Sequence, residues 1–210
     1  MKASADMASQ SRADEKLSKK LSWLLRHGAE KEGLTLGPGG WIKLNDVLKR
    51  PKFQRVREEE VKQLVVNCPK QRFGLLEEKG ELFIRANQGH SLQVENADFE
   101  EITSDSDIPV VVHGTYYHYW PSIREHGLSC MSRTHIHFAP GLPKEWDVIS
   151  GMRTSSQIYI YVDLPKALAA GFKFYKSVNN VILCPGNEDG YLPAEYFLKV
   201  VDRRTGEYLQ

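Results

Sequence analysis

Four positions carry side chains that could do chemistry on an anion: Arg26 and His27, adjacent in SWLLRHG, Arg72 in KQRFG, and Arg153 in SGMRTSSQ. A guanidinium is a planar, permanently charged fork that grips oxyanions through paired N–H bonds. An imidazole beside it can give or take a proton near neutral pH. Spacing alone offers each of them a plainer use. Arg26 and His27 close a helix, where cations offset the negative end of the helix dipole. Arg72 fits an ordinary strand-edge arginine, and Arg153 sits in a Gly/Ser-rich loop before a strand, where surface arginines are common. None of the four is diagnostic singly.

The histidines form a second group. His113 ends the apolar run VVVHGT and is followed by Gly114 and Thr115, where the missing side chain lets a ligand approach the backbone. His135 and His137 alternate in THIHFAP and so point to one side of a strand. With His118 and His113 they could in principle ligate a metal. Imidazole-only clusters normally come with a carboxylate or cysteine, and none is suitably spaced, so no metal is expected. A hydrogen-bonded structural role is the commoner fate of a strand histidine. The segment QGHS, ending in Ser91, reads as a loop leaving a domain. Cys68, Cys130 and Cys184 are odd in number, widely spaced and without a C-x-x-C pair. They read as small buried thiols of a reducing compartment, cytosol or nucleus.

These side chains need elements to hold them. Leu17, Leu21, Leu24 and Leu25 recur at helical spacing, which predicts a helix over Asp14–His27 with Lys19, Trp23, Arg26 and His27 on its non-leucine side. LNDVLKR and REEEVKQLVV predict two more helices. In RFGLLEEKGELFIRA, Lys79-Gly80 reads as a two-residue hairpin turn that sets Leu75 against Ile84 and Arg72 across from Asn87. Helices followed by a hairpin suggest a winged-helix-like lobe. Downstream, IPVVVHGT, THIHFAP, QIYIYVD, NVILC and EYFLKVV read as strands, with short helices at WPSIREHG and PKALAAG. An α+β domain with a mainly antiparallel sheet is expected. Neither G-x-G-x-x-G after a strand nor G-x-x-x-x-G-K-[ST] occurs, so a Rossmann or P-loop nucleotide site is not indicated.

Charge marks the domain plan. The net charge is only +1, yet residues 1–91 hold 18 Lys and Arg against 12 Asp and Glu. Residues 92–109 hold six acids and no base. The expected organisation is a disordered tail over 1–13, a basic lobe over 14–91, an acidic linker over 92–109 and a nearly neutral lobe over 110–210. The basic lobe favours an anionic partner, although a solvated surface would carry such a charge too. No apolar run approaches the ~20 residues of a membrane helix, and no secretory or transit signal is read at the N-terminus.

Taken together, LSKKLSWLLRHG, GGWIKLNDVL, KQRF, RANQGHS, HGTYYHYWPSIREHGL, HIHFAP and GMR appear in order across Leu17 to Val201. This series closely resembles the tRNA 2′-phosphotransferase family. The resemblance implies an N-terminal winged-helix-like lobe that holds RNA and a C-terminal ADP-ribosyltransferase-like lobe that holds NAD. It places the family's catalytic set on Arg26, His27, Arg72 and Arg153, and its NAD signature on His113, Gly114, Thr115 and His137. His137 stands where many ADP-ribosyltransferases have tyrosine. No glutamate occurs in GMRTSSQIYIYVD, where those transferases keep a catalytic acid, which puts ordinary protein ADP-ribosylation in doubt.

The implied reaction has its own physical logic. A phosphate monoester carries about −1.5 to −2 charge at pH 7 and needs no base to act as nucleophile. It would attack the NAD ribose carbon that bears nicotinamide, joining ADP-ribose to the RNA phosphate. The ribose 2″-hydroxyl would then attack phosphorus, giving RNA with a 2′-hydroxyl and ADP-ribose 1″,2″-cyclic phosphate. Arginine forks suit the charge spread over phosphorus in that second step, and His27 could act as acid or as phosphate ligand. The implied partners are NAD as co-substrate and 2′-phosphorylated RNA at a tRNA splice junction, with no metal, no membrane and a monomeric enzyme. Two alternatives are an ADP-ribosyltransferase acting on nucleic-acid phosphate ends and a non-catalytic winged-helix RNA-binding protein. The presence of all four catalytic positions argues against the last.

Overall fold

The computed structural model describes residues 2–95, 97–105, 108–142 and 152–210, with side chains described from Arg12 onward. Gly151 of the GMR motif lies outside the described residues, while Met152 and Arg153 lie inside them. The chain divides into two compact units, Met1–Ala97 and Asp98–Gln210.

The first unit contains helix α1 (Lys2–Trp23), strand β1 (Ile42–Lys43), helices α2 (Leu44–Leu48) and α3 (Glu58–Val66), and the hairpin β2 (Phe73–Glu78) and β3 (Glu81–Ala86). Its sheet has the order β1-β3-β2, all antiparallel. Leu21, Leu24, Leu25, Leu44, Val47, Val61 and Ile84 are fully buried in one core with Phe53 and Phe73. The helical face expected from the leucine spacing is therefore the packed one. Two bounds differ from expectation. Helix α1 already runs from Lys2, where a disordered tail was expected over 1–13, because neither Gly nor Pro interrupts the chain before Gly28. At the other end α-helix stops at Trp23, and Leu24–Gly28 form a turn of π-helix instead of continuing to His27. A Cβ on Gly28 would fall 2.5 Å from the Trp23 ring, so only glycine closes this turn beneath the indole.

The hairpin has the expected register, with Leu75 opposite Ile84 and Glu78 opposite Glu81. Lys79 and Gly80 have φ of 53° and 76°, the left-handed pair of a type I′ turn, whose twist matches that of the strands.

The second unit contains β4 (Phe99–Ile102), β5 (Val112–Thr115), α4 (Trp120–His126), β6 (Leu128–Ser129), β7 (Ile136–Phe138), β8 (Ile158–Val162), α5 (Leu164–Ala169), β9 (Phe174–Ser177), β10 (Ile182–Cys184), β11 (Tyr191–Leu192) and β12 (Phe197–Asp202). Its sheets are β4-β9-β10-β7, β12-β8-β5 and the short pair β11-β6, with every pairing antiparallel. The five strands and two helices expected from the sequence all occur. Strands β4, β6, β9 and β11 were not anticipated. Strand β4 also corrects the linker: part of the acidic stretch 92–109 is a sheet edge. Its acids meet lysines across the ladder, with Glu100 opposite Lys176 and Glu101 2.6 Å from Lys173. Ile102 is buried at its end.

The turn geometry yields a stability test. Lys79→Asn, which creates the Asn-Gly pair that type I′ turns prefer, should stabilise the first unit by about 0.5–1 kcal/mol. Lys79→Val should destabilise it by about 1 kcal/mol, because a β-branched residue resists positive φ. Urea denaturation of the three proteins measures both, and equal midpoints would contradict the turn assignment.

Candidate active site

In the first unit the π turn and the entry to β2 meet along a groove of about 730 Å³. Arg26, His27 and Arg72 all line it, together with Lys19, Trp23 and Cys68. Each arrives by a different cause. Buried Leu21 at the end of α1 and buried Leu24 and Leu25 in the π turn leave Arg26 and His27 to line the groove. Arg72 is held at the hairpin entry, where Asn87 donates its N–H to the Arg72 carbonyl at 2.9 Å. The Arg72 guanidinium leans on the Cys68 sulfur at 3.6 Å. Glu15 also reaches the groove, but Lys19 pairs with it at 2.6 Å and holds its carboxyl below the usual range. Asp14 lines the groove as well, beside two guanidiniums and an imidazole whose types suit a phosphate.

The loop after β3 closes on this corner. Ser91 donates its N–H to the Arg26 carbonyl at 3.0 Å, and its hydroxyl lies 2.9 Å from His27 Nδ1. By itself QGHS reads as a domain-exit loop, and Ser91 enters the sequence argument only as the last residue of the RANQGHS motif. A hydroxyl aimed at a ring nitrogen 64 residues away leaves no trace in local spacing.

In the second unit β5 carries His113, Gly114 and Thr115, and β7 carries His137. A bridge between Val112 and Ala139 joins the two strands. His113 donates Nδ1–H to the His137 carbonyl at 2.8 Å, which fixes its tautomer. Burial pushes the His113 pKa below its ordinary 6.5 against the pull of that carbonyl, and the charge of Arg133 lowers it further. His113 is thus a neutral hydrogen-bonding group. Gly114 is required for closeness: a Cβ there would lie 2.5 Å from Met152 and 2.6 Å from the Ser156 hydroxyl. Thr115 is buried and its carbonyl accepts from the Gln157 N–H at 2.8 Å. The segment bearing Arg153 is therefore seated against the signature on β5. The Arg153 carbonyl accepts from the Ser156 hydroxyl at 2.8 Å, and the Tyr116 hydroxyl lies 2.7 Å from Ser155 Oγ. Hydrogen bonds from Ser155 and then Arg153 lower the Tyr116 pKa. Arg133, not singled out from the sequence, lies near enough to Arg153 that partial desolvation and the like charge lower its own pKa.

Three of the four catalytic candidates therefore share one groove of the first unit, and the fourth, exposed Arg153, lies between Met152 and Ser156, which approach Gly114 in the second. Among the described residues no group of three or more His, Cys, Asp and Glu is placed to hold a metal ion. No helix among them is long and apolar enough to cross a membrane.

Known proteins match this chain along most of its length. The family model described as RNA 2'-phosphotransferase, Tpt1 / KptA family, matches residues 12–186. The chain belongs to this family. It is 46% identical over 194 residues to tRNA 2'-phosphotransferase 1 of Homo sapiens, covering 91% of this chain and 77% of the relative. It is 47% identical over 188 residues to tRNA 2'-phosphotransferase 1 of Danio rerio, covering 88% and 84%. It is 38% identical over 197 residues to tRNA 2'-phosphotransferase of Saccharomyces cerevisiae, covering 90% and 84%. The matched span includes Arg26, His27, Arg72, His113, His137 and Arg153.

Two tests follow for this family member. Gly114→Ala should displace the 152–156 segment and cost about 1–3 kcal/mol of stability, the usual range for overpacking. Thermal denaturation measures it, and an unchanged midpoint would mean that Met152 and Ser156 yield freely. The second test is pH. Below about 6.5 the unfolded chain protonates His113 while the folded chain does not. Stability from this group is therefore complete above that pH and is lost as pH falls through the depressed folded value. Melting temperatures measured between pH 8 and pH 5 should decline on the acid side, and His113→Asn should flatten the decline. An unaltered slope in that variant would show that the ring is not held neutral.

Proposed function

We propose that this chain is an NAD-dependent tRNA 2′-phosphotransferase, which takes an internal 2′-phosphate off spliced tRNA and leaves a 2′-hydroxyl. The observation that carries this reading is the groove that gathers Arg26, His27 and Arg72 in a member of the RNA 2'-phosphotransferase family. Helices followed by a hairpin support a winged-helix-like reading of the first unit, and antiparallel sheets bearing His113-Gly114-Thr115 support an ADP-ribosyltransferase-like reading of the second. The enzyme works as a monomer in the cytosol or nucleus.

The residues divide the work. The first unit receives the RNA, whose phosphodiesters meet its excess of Lys and Arg, so binding should weaken as salt rises. Arg26 and Arg72 grip the 2′-phosphate through paired N–H bonds, and His27 meets it as a hydrogen-bond partner. NAD is consumed as the second substrate and supplies the ribose carbon and the 2″-hydroxyl that together carry the phosphate away. The donor set on β5 and β7 suits it: His113 is neutral with Nδ1 tied back, leaving Nε2 to face a ribose hydroxyl, and His137 follows one strand away. Arg153 adds a third fork for the phosphorus oxygens when the P–O bond to RNA breaks. No carboxylate base is needed, because the attacking group is already an anion.

Protein, NAD and a short RNA bearing one internal 2′-phosphate should yield RNA with a 2′-hydroxyl, nicotinamide and ADP-ribose 1″,2″-cyclic phosphate. Product that stops as ADP-ribosylated RNA would instead favour a transferase acting on nucleic-acid phosphates. Arginine matters most in the second step, where charge must be held on phosphorus oxygens. Arg72→Ala or Arg153→Ala should each slow that step by about 10²–10³ and let ADP-ribosylated RNA accumulate. Lysine should rescue poorly, since one ammonium cannot reproduce a two-pronged grip. Rapid-quench analysis of labelled RNA reads the species directly. Variants that stall with untouched 2′-phosphate would move these arginines to substrate binding or to the first step.

A further inference from the structure

Ser91 sits where one hydroxyl meets two groups of the catalytic pair. Its Oγ is 2.9 Å from His27 Nδ1 and 3.4 Å from the Arg26 carbonyl oxygen. The carbonyl can only accept, and the hydroxyl has one proton to give. When that proton goes to Arg26, Oγ is left as an acceptor and Nδ1 must be the N–H. When His27 is an imidazolium both ring nitrogens carry protons, and Ser91 must again accept. A neutral ring that accepts the hydroxyl proton at Nδ1 instead carries its own proton on Nε2, so in all three arrangements Nδ1 is occupied and the ring meets a substrate through Nε2. We propose that Ser91 is the positioning residue of His27: it holds the proton on Nδ1, so that Nε2 is the nitrogen presented to the phosphate. The proposal rests on reading the groove as the phosphate site.

The rest of the loop is built for this contact. The Ser91 N–H is already committed to the Arg26 carbonyl at 3.0 Å, so the backbone docks the loop independently of the side chain. Gly89 has φ of 88°, and a Cβ on it would come within 3.3 Å of the Arg26 guanidinium. The segment from Gly89 to Ser91 therefore gives Arg26 its room and His27 its orientation through two different devices. Removing only the hydroxyl should leave the first intact and remove the second.

The accepting role fixes the sign of the expected changes. Ser91→Ala should release the neutral ring toward the Nε2–H form that unconstrained histidines prefer. Nitrogen-15 long-range NMR on histidine-labelled protein reads the tautomer without turnover. Wild type and Ser91→Thr should show Nδ1–H in the neutral ring; Ser91→Ala and Ser91→Val should not. In turnover with 2′-phosphorylated RNA and NAD, loss of one neutral hydrogen bond should lower kcat about fivefold with KM for RNA nearly unchanged. Ser91→Thr should recover most of it.

Threonine and valine differ by one hydroxyl at equal shape, so that comparison stands even if alanine loosens the loop. Equal kcat and equal tautomer in those two variants would overturn the proposal, as would wild-type protein already in the Nε2–H form. A rise in KM without a change in kcat would make Ser91 an RNA contact and not a positioning residue. Wild-type protein that leaves the 2′-phosphate in place would overturn the reading of function, while the NMR comparison would still decide the role of Ser91.

Discussion

Leu21, Leu24 and Leu25 are fully buried, and their burial decides where the next two side chains can go. Each leucine taken out of water contributes roughly 1.5–3 kcal/mol. A cation at a helix end contributes at most about 1 kcal/mol through the dipole when it is exposed. The apolar stripe therefore sets the rotation of the helix, and Arg26 and His27 take the direction that remains. The π turn at Leu24–Gly28 adjusts this further, since its wider winding shifts every later residue around the axis relative to an α-helix. That Arg26, a permanent cation, also meets the negative end of the helix dipole remains physically true. It is a by-product of a placement made by the core.

The second unit reaches the same end by another route. Nothing helical orients His113. It is held by a sheet ladder to Ile160, by its own Nδ1–H to the His137 carbonyl, and by packing against Phe138. The close approach at Gly114 then fixes the segment that bears Arg153, which Arg203 ties down through the carbonyls of Thr154 and Ser156. Arg153, proposed to act on a phosphate, is thus an exposed side chain followed by backbone that is held by hydrogen bonds.

How much of this was legible depended on the range over which a residue acts. The leucine stripe, the Lys79-Gly80 turn and the alternation in QIYIYVD are set by neighbours within a few positions, and their elements stand where they were expected. Strands β4 and β9 escaped notice because FEEI and FYKS are short and mixed in polarity, and their reason to be strands is each other. Charge composition suggested a linker where the acids are in fact answered by Lys173 and Lys176 across the ladder. The same limit governs the candidate site. Arg26, His27, Arg72 and Arg153 were found through the order of several motifs. Ser91 and Arg133 act through contacts distant in sequence and could be recognised only in three dimensions.

The balance of charge explains why so many cations can be kept with so little acid beside them. Partial burial, and then the like charge of Arg153, lower the Arg133 pKa, a cost the free protein bears as reduced stability. In an enzyme that needed a carboxylate base, that base would relieve such repulsion permanently and would also compete for the guanidiniums. A dianionic phosphate that serves as its own nucleophile removes the need for the base. On the proposed reading the absence of glutamate from GMRTSSQIYIYVD is a favourable feature, since no glutamate of that segment competes with a phosphate for Arg153. In the proposed reaction the phosphate would bring that negative charge itself, and binding it beside Arg153 would relieve the repulsion from Arg133.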